Sequence, residues 1–267
     1  MLAEHGAWLT ATAYSLPLLA LGPFALRRYA TLCRHGWVFW CTGVLMAVSL
    51  ATFTEAFVHG EIASVIVIFY SAPVWATLFE RWLLGEQITA KRVLAIGLGL
   101  AGVMTIFGGD SRAPLPSTSS DWLALASSLT WTLALTLIRR GPLVQSFDRV
   151  FAVTPFLGVA FLFVTVLFGA GQLQLPVRVG ATTFIWMGSF GLFWVVLIIS
   201  GTVYAAAFMS PGRVAILMMF EVIVGLVSAA LLAGEVVGIR EIAGATLVLL
   251  AGFTELVRLT SPQEPIV

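Results

Sequence analysis

The acidic residue best placed for chemistry is Glu221, in the middle of the long apolar stretch 212–233. No other acidic residue lies in that stretch. A carboxylate at the centre of a membrane span costs about 2.5–3.5 kcal/mol to insert, and such groups usually face a cavity or a partner. Glu221 is therefore a candidate site for a bound solute or for a proton. A glutamate that only joins two packed helices would fit the same pattern.

Other residues at similar depth could form a cavity wall around this carboxylate. Tyr70 and Ser71 lie close to Pro73, near the middle of the apolar stretch 62–84. Proline has no backbone N–H and so frees a carbonyl one turn earlier, near Phe69. In a membrane that carbonyl must find a partner or line water. The predicted cavity residues are Glu221, Tyr70, Ser71, Pro73, Glu55, Trp131, Trp194, Tyr204 and Met218. Helix packing alone remains the alternative for the proline, for the aromatic residues and for Met218.

Three more charged residues lie near the ends of apolar stretches. Glu55 falls a few residues from the end of its stretch, so we favour exposure at the membrane surface over a place in the cavity wall. Glu80 and Arg81 fall within one turn of another end, where charged side chains can pair or reach the interface. They are a candidate gate or structural pair, and the structural interpretation is favoured.

The sequence favours neither an enzyme nor a metalloprotein. Its three histidines, His5, His35 and His59, lie beside no suitable nucleophile, and no His/Cys/Asp cluster has metal-ligand spacing. Cys33 and Cys41 do not form a disulfide framework pattern. No basic stripe suggests a nucleic-acid partner. We therefore predict no catalytic residues, no metal and no cofactor.

The composition indicates that membrane-spanning helices position these residues. Hydrophobic residues make up 60% of the chain and charged residues 10%, with a mean hydropathy of +1.01. Soluble domains have about a quarter of charged residues, and the long continuous apolar runs differ from the short alternating strands of a membrane barrel. The sequence predicts an all-α polytopic membrane protein. Its nine candidate spans are 8–26, 37–58, 62–84, 91–108, 121–138, 148–169, 181–202, 212–233 and 240–258.

The basic residues predict the orientation. If the nine spans alternate, eleven of the 14 Lys and Arg residues lie on one side and three on the other. Loops on the cytoplasmic side are enriched in Lys and Arg. We therefore expect a cytoplasmic C-terminus, with residues 261–267 as a cytoplasmic tail, and an N-terminus on the outer side.

The chain contains one structural unit twice. The ending of residues 83–86 recurs at 231–235, about 149 positions later. The repeats are predicted over 1–110 and 121–260, joined by the turn-rich loop 111–120. Four spans in the first repeat and five in the second suggest a ten-helix plan that lacks its first helix. Such a plan has two inverted five-helix repeats, as in many secondary transporters. Either the chain starts at an internal methionine, or it is a nine-span variant.

These features resemble the drug/metabolite transporter superfamily, EamA type. The residues that carry the resemblance are 70–75, Arg81, 83–86, Arg92 and 97–103 in the first copy, and Glu221, 231–235 and 244–252 in the second. The resemblance implies a ten-helix fold around a central cavity, and the movement of metabolites, amino acids or drugs, often outward. Val222 stands where the second repeat usually carries proline, so we expect span 212–233 to be less bent than span 62–84.

We therefore expect a secondary transporter in the bacterial inner (plasma) membrane that works by alternating access. Its partners would be the lipid bilayer and a small organic solute, such as an amino-acid-like metabolite or a drug. Export is the favoured direction, and proton coupling through Glu221 is left open. Apolar and aromatic walls with one or two carboxylates suit neutral or cationic solutes better than anions. The alternative is a non-transporting membrane subunit or assembly factor that retains the fold, and the oligomeric state is left open.

Overall fold

The computed structural model describes residues 21–107, 115–141, 144, 146–168, 181–228, 230–231 and 237–256. Within these ranges the chain forms helices and short connections, without any strand. The predicted class, an all-α polytopic membrane protein, is confirmed. Six helices of the described part are long and apolar enough to cross a membrane: Gly36–His59, Ile62–Leu84, Ala90–Phe107, Ser119–Arg140, Gly191–Phe208 and Pro211–Ser228.

The described helices are numbered here in chain order. Those of the first half are α1 (Tyr29–Cys33), α2 (Gly36–His59), α3 (Ile62–Phe69), α4 (Ala72–Phe79) and α5 (Ala90–Phe107). Those of the second half are α6 (Ser119–Arg140), α7 (Ser146–Phe168), α8 (Ala181–Phe190), α9 (Val196–Phe208), α10 (Pro211–Met218), α11 (Phe220–Ser228) and α12 (Ile239–Leu256). A π-helical turn, Glu80–Leu84, continues α4, and another, Gly191–Val195, joins α8 to α9.

The predicted spans agree closely with several of these helices. Spans 37–58, 91–108 and 121–138 correspond to α2, α5 and α6 to within two residues at each end. Predicted span 181–202 ends too early, because α9 continues to Phe208. Predicted span 8–26 lies mostly outside the described residues. The described residues at its end, 21–26, are helical.

Two spans are interrupted at equivalent positions. Tyr70 and Ser71 separate α3 from α4, and Met219, which is 149 positions after Tyr70, separates α10 from α11. Pro73 lies in the first turn of α4, where its missing N–H is tolerated. We expected a less bent second span because it lacks this proline. The second span is nevertheless interrupted too. An interruption at this position therefore does not require proline.

The elements of the two halves coincide when they are shifted along the sequence. A shift of 149 residues places α3 on α10 and α5 on α12 with the same bounds. Helix α5 packs extensively against α12, and α4 packs against α10. Each of these contacts joins one half of the chain to the other. The inversion of the halves across the membrane stays a prediction.

The α5–α12 contact depends on small residues. A Cβ atom added at Gly102 would lie 2.6 Å from the Gly244 carbonyl oxygen and 2.8 Å from Val248 Cγ2. Glycine therefore lets the two backbones approach closely, as small residues do between membrane helices. This packing holds together the two helices that follow the interrupted spans.

Helix α6 is fixed at its start by a capping box. The Thr118 hydroxyl accepts a hydrogen bond from the Asp121 N–H at 3.2 Å, and the Asp121 carboxylate accepts one from the Thr118 N–H at 3.0 Å. Asp121 also accepts a bond from the Ser64 hydroxyl at 2.8 Å. The start of α6 is thus tied to the first turn of α3, at the end of the bundle where α3 begins.

Candidate functional site

A cavity of about 470 Å³ lies beside the two interruptions. Its polar lining consists of Ser49, Tyr70, Ser127 and Glu221. The apolar lining is Leu50, Phe53, Phe57, Ile66, Phe69, Phe107, Trp131, Ile198, Met218, Val222, Gly225 and Leu226. Pockets for small organic ligands have roughly this size and are mostly apolar with a few polar groups. The cavity therefore has the volume and the lining of a ligand site.

The predicted cavity residues Tyr70, Met218 and Glu221 come together at the interruptions. The Tyr70 hydroxyl donates to Glu221 Oε2 and to the Met218 carbonyl oxygen, each at 3.5 Å. In a regular helix the N–H of Val222 would donate to the Met218 carbonyl, but here it donates to Met219 at 3.1 Å. The interruption therefore releases the Met218 carbonyl, and the tyrosine of the other half contacts it. Both distances are long for hydrogen bonds.

The carbonyl freed by Pro73 is that of Phe69, as the sequence predicted. It accepts a hydrogen bond from the Ser128 hydroxyl of α6 at 3.0 Å. A side chain of a neighbouring helix therefore satisfies it, as backbone groups in a membrane require. This carbonyl serves packing between α3 and α6, while the Phe69 ring lines the cavity.

Aromatic rings form a continuous row along the cavity. Ring centroids are 4.7 Å apart between Phe57 and Phe53, 4.4 Å between Phe53 and Phe69, and 5.7 Å between Phe69 and Tyr70. These spacings are typical of interacting aromatic pairs. The row ends at Tyr70, whose hydroxyl faces Glu221.

Trp131, another predicted cavity residue, lines the cavity from α6. Its indole N–H donates to Met218 Sδ at 3.4 Å. Trp131 is thus connected to the α10 side of the interruption. Four of the predicted cavity residues therefore line one cavity, and they come from three different spans.

The other predicted cavity residues lie elsewhere. Ser71 donates to the Ile68 carbonyl at 2.6 Å and accepts from Trp75 Nε1 at 2.9 Å, so its hydroxyl is used within its own span. Pro73 is buried in packing, and Tyr204 is exposed beside Phe208. The side chain of Trp194 lies outside the described residues.

The prediction that Glu55 is exposed at the membrane surface is wrong. Its side chain is only 1% exposed, and Oε1 lies 3.0 Å from Nε2 of His59, one turn further along α2. Glu55 does lie near the end of its helix, as predicted. However, α2 packs against both α6 and α7, and that packing covers the carboxylate. Glu55 is not among the residues that line the cavity.

Glu80 pairs with Arg92 and not with its neighbour Arg81, which is exposed. The Gly212 N–H also donates to the Glu80 carboxylate. The Arg92 guanidinium lies 3.2 Å from Glu255 Oε1 and donates to the Ser210 hydroxyl at 2.7 Å. Arg213 Nε completes the group, 3.0 Å from Glu255 Oε1. We call Glu80, Arg92, Arg213 and Glu255 the ion cluster.

The ion cluster joins four separate segments of the chain. Its members come from the turn after α4, the start of α5, the first turn of α10 and the end of α12. Two positive charges balance two negative charges, as buried ions require. Sequence reasoning missed this group because a charge at the end of a span is ordinary when taken alone. The shared signal was that all four lie at span ends on the same predicted side.

The ion cluster and the cavity lie on opposite sides of the interruptions. Helices α4 and α10 pack together on the side of the cluster. The cavity is lined instead by residues of α3 and α11, on the other side. The same pair of spans is therefore closed at one end and separated by a cavity at the other.

Comparison with known proteins finds a family match in the first part of the chain. Residues 6–108 match the EamA-like transporter family. The match confirms the predicted resemblance. The EamA-like region includes α2 to α5 and therefore Tyr70, Glu80 and Arg92, whereas Glu221 follows it in the chain. No curated protein matches the chain.

The described fold is similar to that of a protein whose crystal structure has been solved. The TM-score is 0.72 at 16% sequence identity, and the likeness covers 96% of this chain and 89% of the other. At this identity the likeness concerns the fold alone. It extends over the second half of the chain as well as over the EamA-like region.

Proposed function

We propose that the protein is a secondary transporter that moves small organic solutes across a membrane by alternating access. Members of the EamA family are transporters rather than enzymes, which favours transport over catalysis. The single observation that carries the proposal is the arrangement of the two interrupted spans. They enclose a cavity on one side of their interruptions and are closed by packing and ion pairs on the other.

This arrangement is what one state of an alternating-access cycle requires. In secondary transporters a central site forms at the interface of the repeats, commonly where helices are discontinuous. Tyr70 and Glu221 belong to the two different halves and meet at such a place. The α4–α10 contact and the ion cluster then form the closed gate, and the opposite end of the cavity provides access. The other state would separate α4 from α10 and close α3 on α11.

The orientation predicted from the basic residues assigns the two ends. It places Glu80, Arg92, Arg213 and Glu255 at cytoplasmic ends of their helices. The described state would then be closed to the cytoplasm. We propose a location in the bacterial inner membrane with a cytoplasmic C-terminus, export as the direction, and Glu221 as the site for proton coupling.

Untargeted metabolite profiling of the growth medium tests this function. Cells with the native protein are compared with cells that express no protein, and with cells that express Glu221→Gln at a matched membrane level. We expect a solute that accumulates outside only with the native protein. Equal export by Glu221→Gln would support transport but remove Glu221 from the route. No difference from cells without the protein would contradict export and favour a non-transporting subunit that keeps the fold.

A further inference from the structure

We propose that the cavity binds a monovalent organic cation that carries an aromatic or apolar group. The inference deepens the proposed function, because it names the solute class for the same cavity. It rests on the charge of the lining, on the row of rings and on open space beside Glu221.

The lining has a single charge. Glu221 is the only charged side chain among the described residues that line the cavity. The other polar groups are the hydroxyls of Ser49, Ser127 and Tyr70, and Ser49 and Ser127 already bond to each other across 3.0 Å. An anionic solute would therefore meet no positive partner and would face a carboxylate. A cation with one charge would neutralise that carboxylate within a mostly apolar lining, where ion pairs are stronger than in bulk water.

The rings favour a cation with an apolar body. The row from Phe57 through Phe53 and Phe69 to Tyr70 gives a long aromatic surface for the body of the solute. The face of an aromatic ring also attracts a cation within about 6 Å of its centroid. The row leads to Glu221, so one molecule could contact the rings with its body and the carboxylate with its charged end.

Space for the charged end lies next to the carboxylate. Gly225 is four residues after Glu221, so both are on the same face of α11. A Cβ atom added at Gly225 would have no atom within 4 Å, and the residue lines the cavity. The glycine thus leaves a gap beside Glu221 where an ammonium group can lie. A larger side chain there would fill the gap without changing the charge of the site.

A binding experiment with matched probes tests this inference. The probes are phenethylammonium, the neutral 2-phenylethanol and the anion 3-phenylpropionate, each titrated into the purified full-length protein by calorimetry. We expect phenethylammonium to bind at least about tenfold more tightly than 2-phenylethanol, because hydrogen bonds to charged groups are the stronger ones. Equal or tighter binding of the alcohol or of the anion would overturn the inference.

Two variants and one control locate the site. Glu221→Gln should remove the preference for the cation and leave weak binding of the alcohol. Gly225→Leu should weaken binding of the cation at least about tenfold while Glu221 is kept, because the leucine occupies the gap. Val224→Leu is the control, because it changes an exposed residue of the same helix that does not line the cavity. This variant should bind phenethylammonium as tightly as the native protein does. An unchanged preference in both Glu221→Gln and Gly225→Leu would overturn the inference.

The result separates this inference from the transport proposal. If the cation binds through Glu221 but profiling finds no exported solute, the binding site stands and transport fails. If profiling finds an exported anion and phenethylammonium does not bind, transport stands and the cation site fails.

Discussion

Replacing Arg92 by methionine should destabilise the protein strongly. Arg92 is 3% exposed and pairs with Glu80 and Glu255, whose side chains are 1% and 3% exposed. Removing one partner of a buried pair costs about 3–5 kcal/mol, because the remaining charge is left uncompensated. In domains of 150–250 residues, about 1 kcal/mol lowers the melting midpoint by about 2–4 °C. We therefore expect a midpoint lower by roughly 6–20 °C.

A second substitution tests whether charge balance is the cause. Glu80→Gln combined with Arg92→Met removes one charge of each sign and leaves Arg213 paired with Glu255. The double variant should therefore be more stable than Arg92→Met alone. Thermal unfolding of both variants in the same detergent gives the comparison. Arg81→Met is the control, because exposed substitutions usually change stability by less than about 0.5 kcal/mol.

Two outcomes would refute this reasoning. One is an unchanged midpoint for Arg92→Met, which would mean that the pair contributes nothing to the closed end. The other is a double variant whose loss equals the sum of the losses measured for Arg92→Met alone and for Glu80→Gln alone. Additive losses indicate residues that do not interact.

Three further substitutions test the packing and the hydrogen bonds by the same unfolding measurement. Gly102→Ala should lower the free energy of unfolding by about 1–3 kcal/mol, because the added methyl group overpacks against α12. Gly97→Ala is the control in the same helix and should not lower it, because the added Cβ has open space around it. Equal effects of the two substitutions would contradict the α5–α12 contact. Asp121→Asn should lower the free energy of unfolding by about 1–3 kcal/mol, because the hydrogen bonds at the start of α6 would no longer involve a charged group. A variant as stable as the native protein would contradict the stabilising role of the Asp121 carboxylate. Ser128→Ala should cost about 1–3 kcal/mol by leaving the Phe69 carbonyl unpaired; an unchanged midpoint would show that the carbonyl has another partner.

The helix positions were largely predictable because their signals are local. Runs of about 20 apolar residues and the turn residues between them predicted α2, α5 and α6 closely. The freed Phe69 carbonyl also followed from Pro73 alone. The partner of that carbonyl did not, because Ser128 lies 59 positions away in the sequence. The interruption at Met219 had no local signal either, since neither proline nor glycine occurs there.

The cavity was predicted better than the closed end. Glu221 was recognised because an ionisable residue in the middle of a span usually faces a cavity or a partner. Tyr70 was recognised by its place beside Pro73, and Trp131 and Met218 were recognised because aromatic or adaptable apolar side chains suit a cavity wall. The ion cluster depends on contacts across 12, 42 and 163 positions, which apolar patterning does not reveal. The burial of Glu55 likewise depends on how α2 packs, and not on its place in the span.

Accessibility of a cavity residue from each face of the membrane tests alternating access most directly. Gly225→Cys is suited to this, because its Cβ has open space and the position lines the cavity. Cys33 and Cys41 are first replaced by serine, so that the new thiol is the only one. A membrane-impermeant maleimide is then added to right-side-out and to inside-out vesicles. The account predicts reaction from both faces, and faster reaction from the cytoplasmic face in Arg92→Met. Reaction from one face only, in the native background and in Arg92→Met alike, would contradict it.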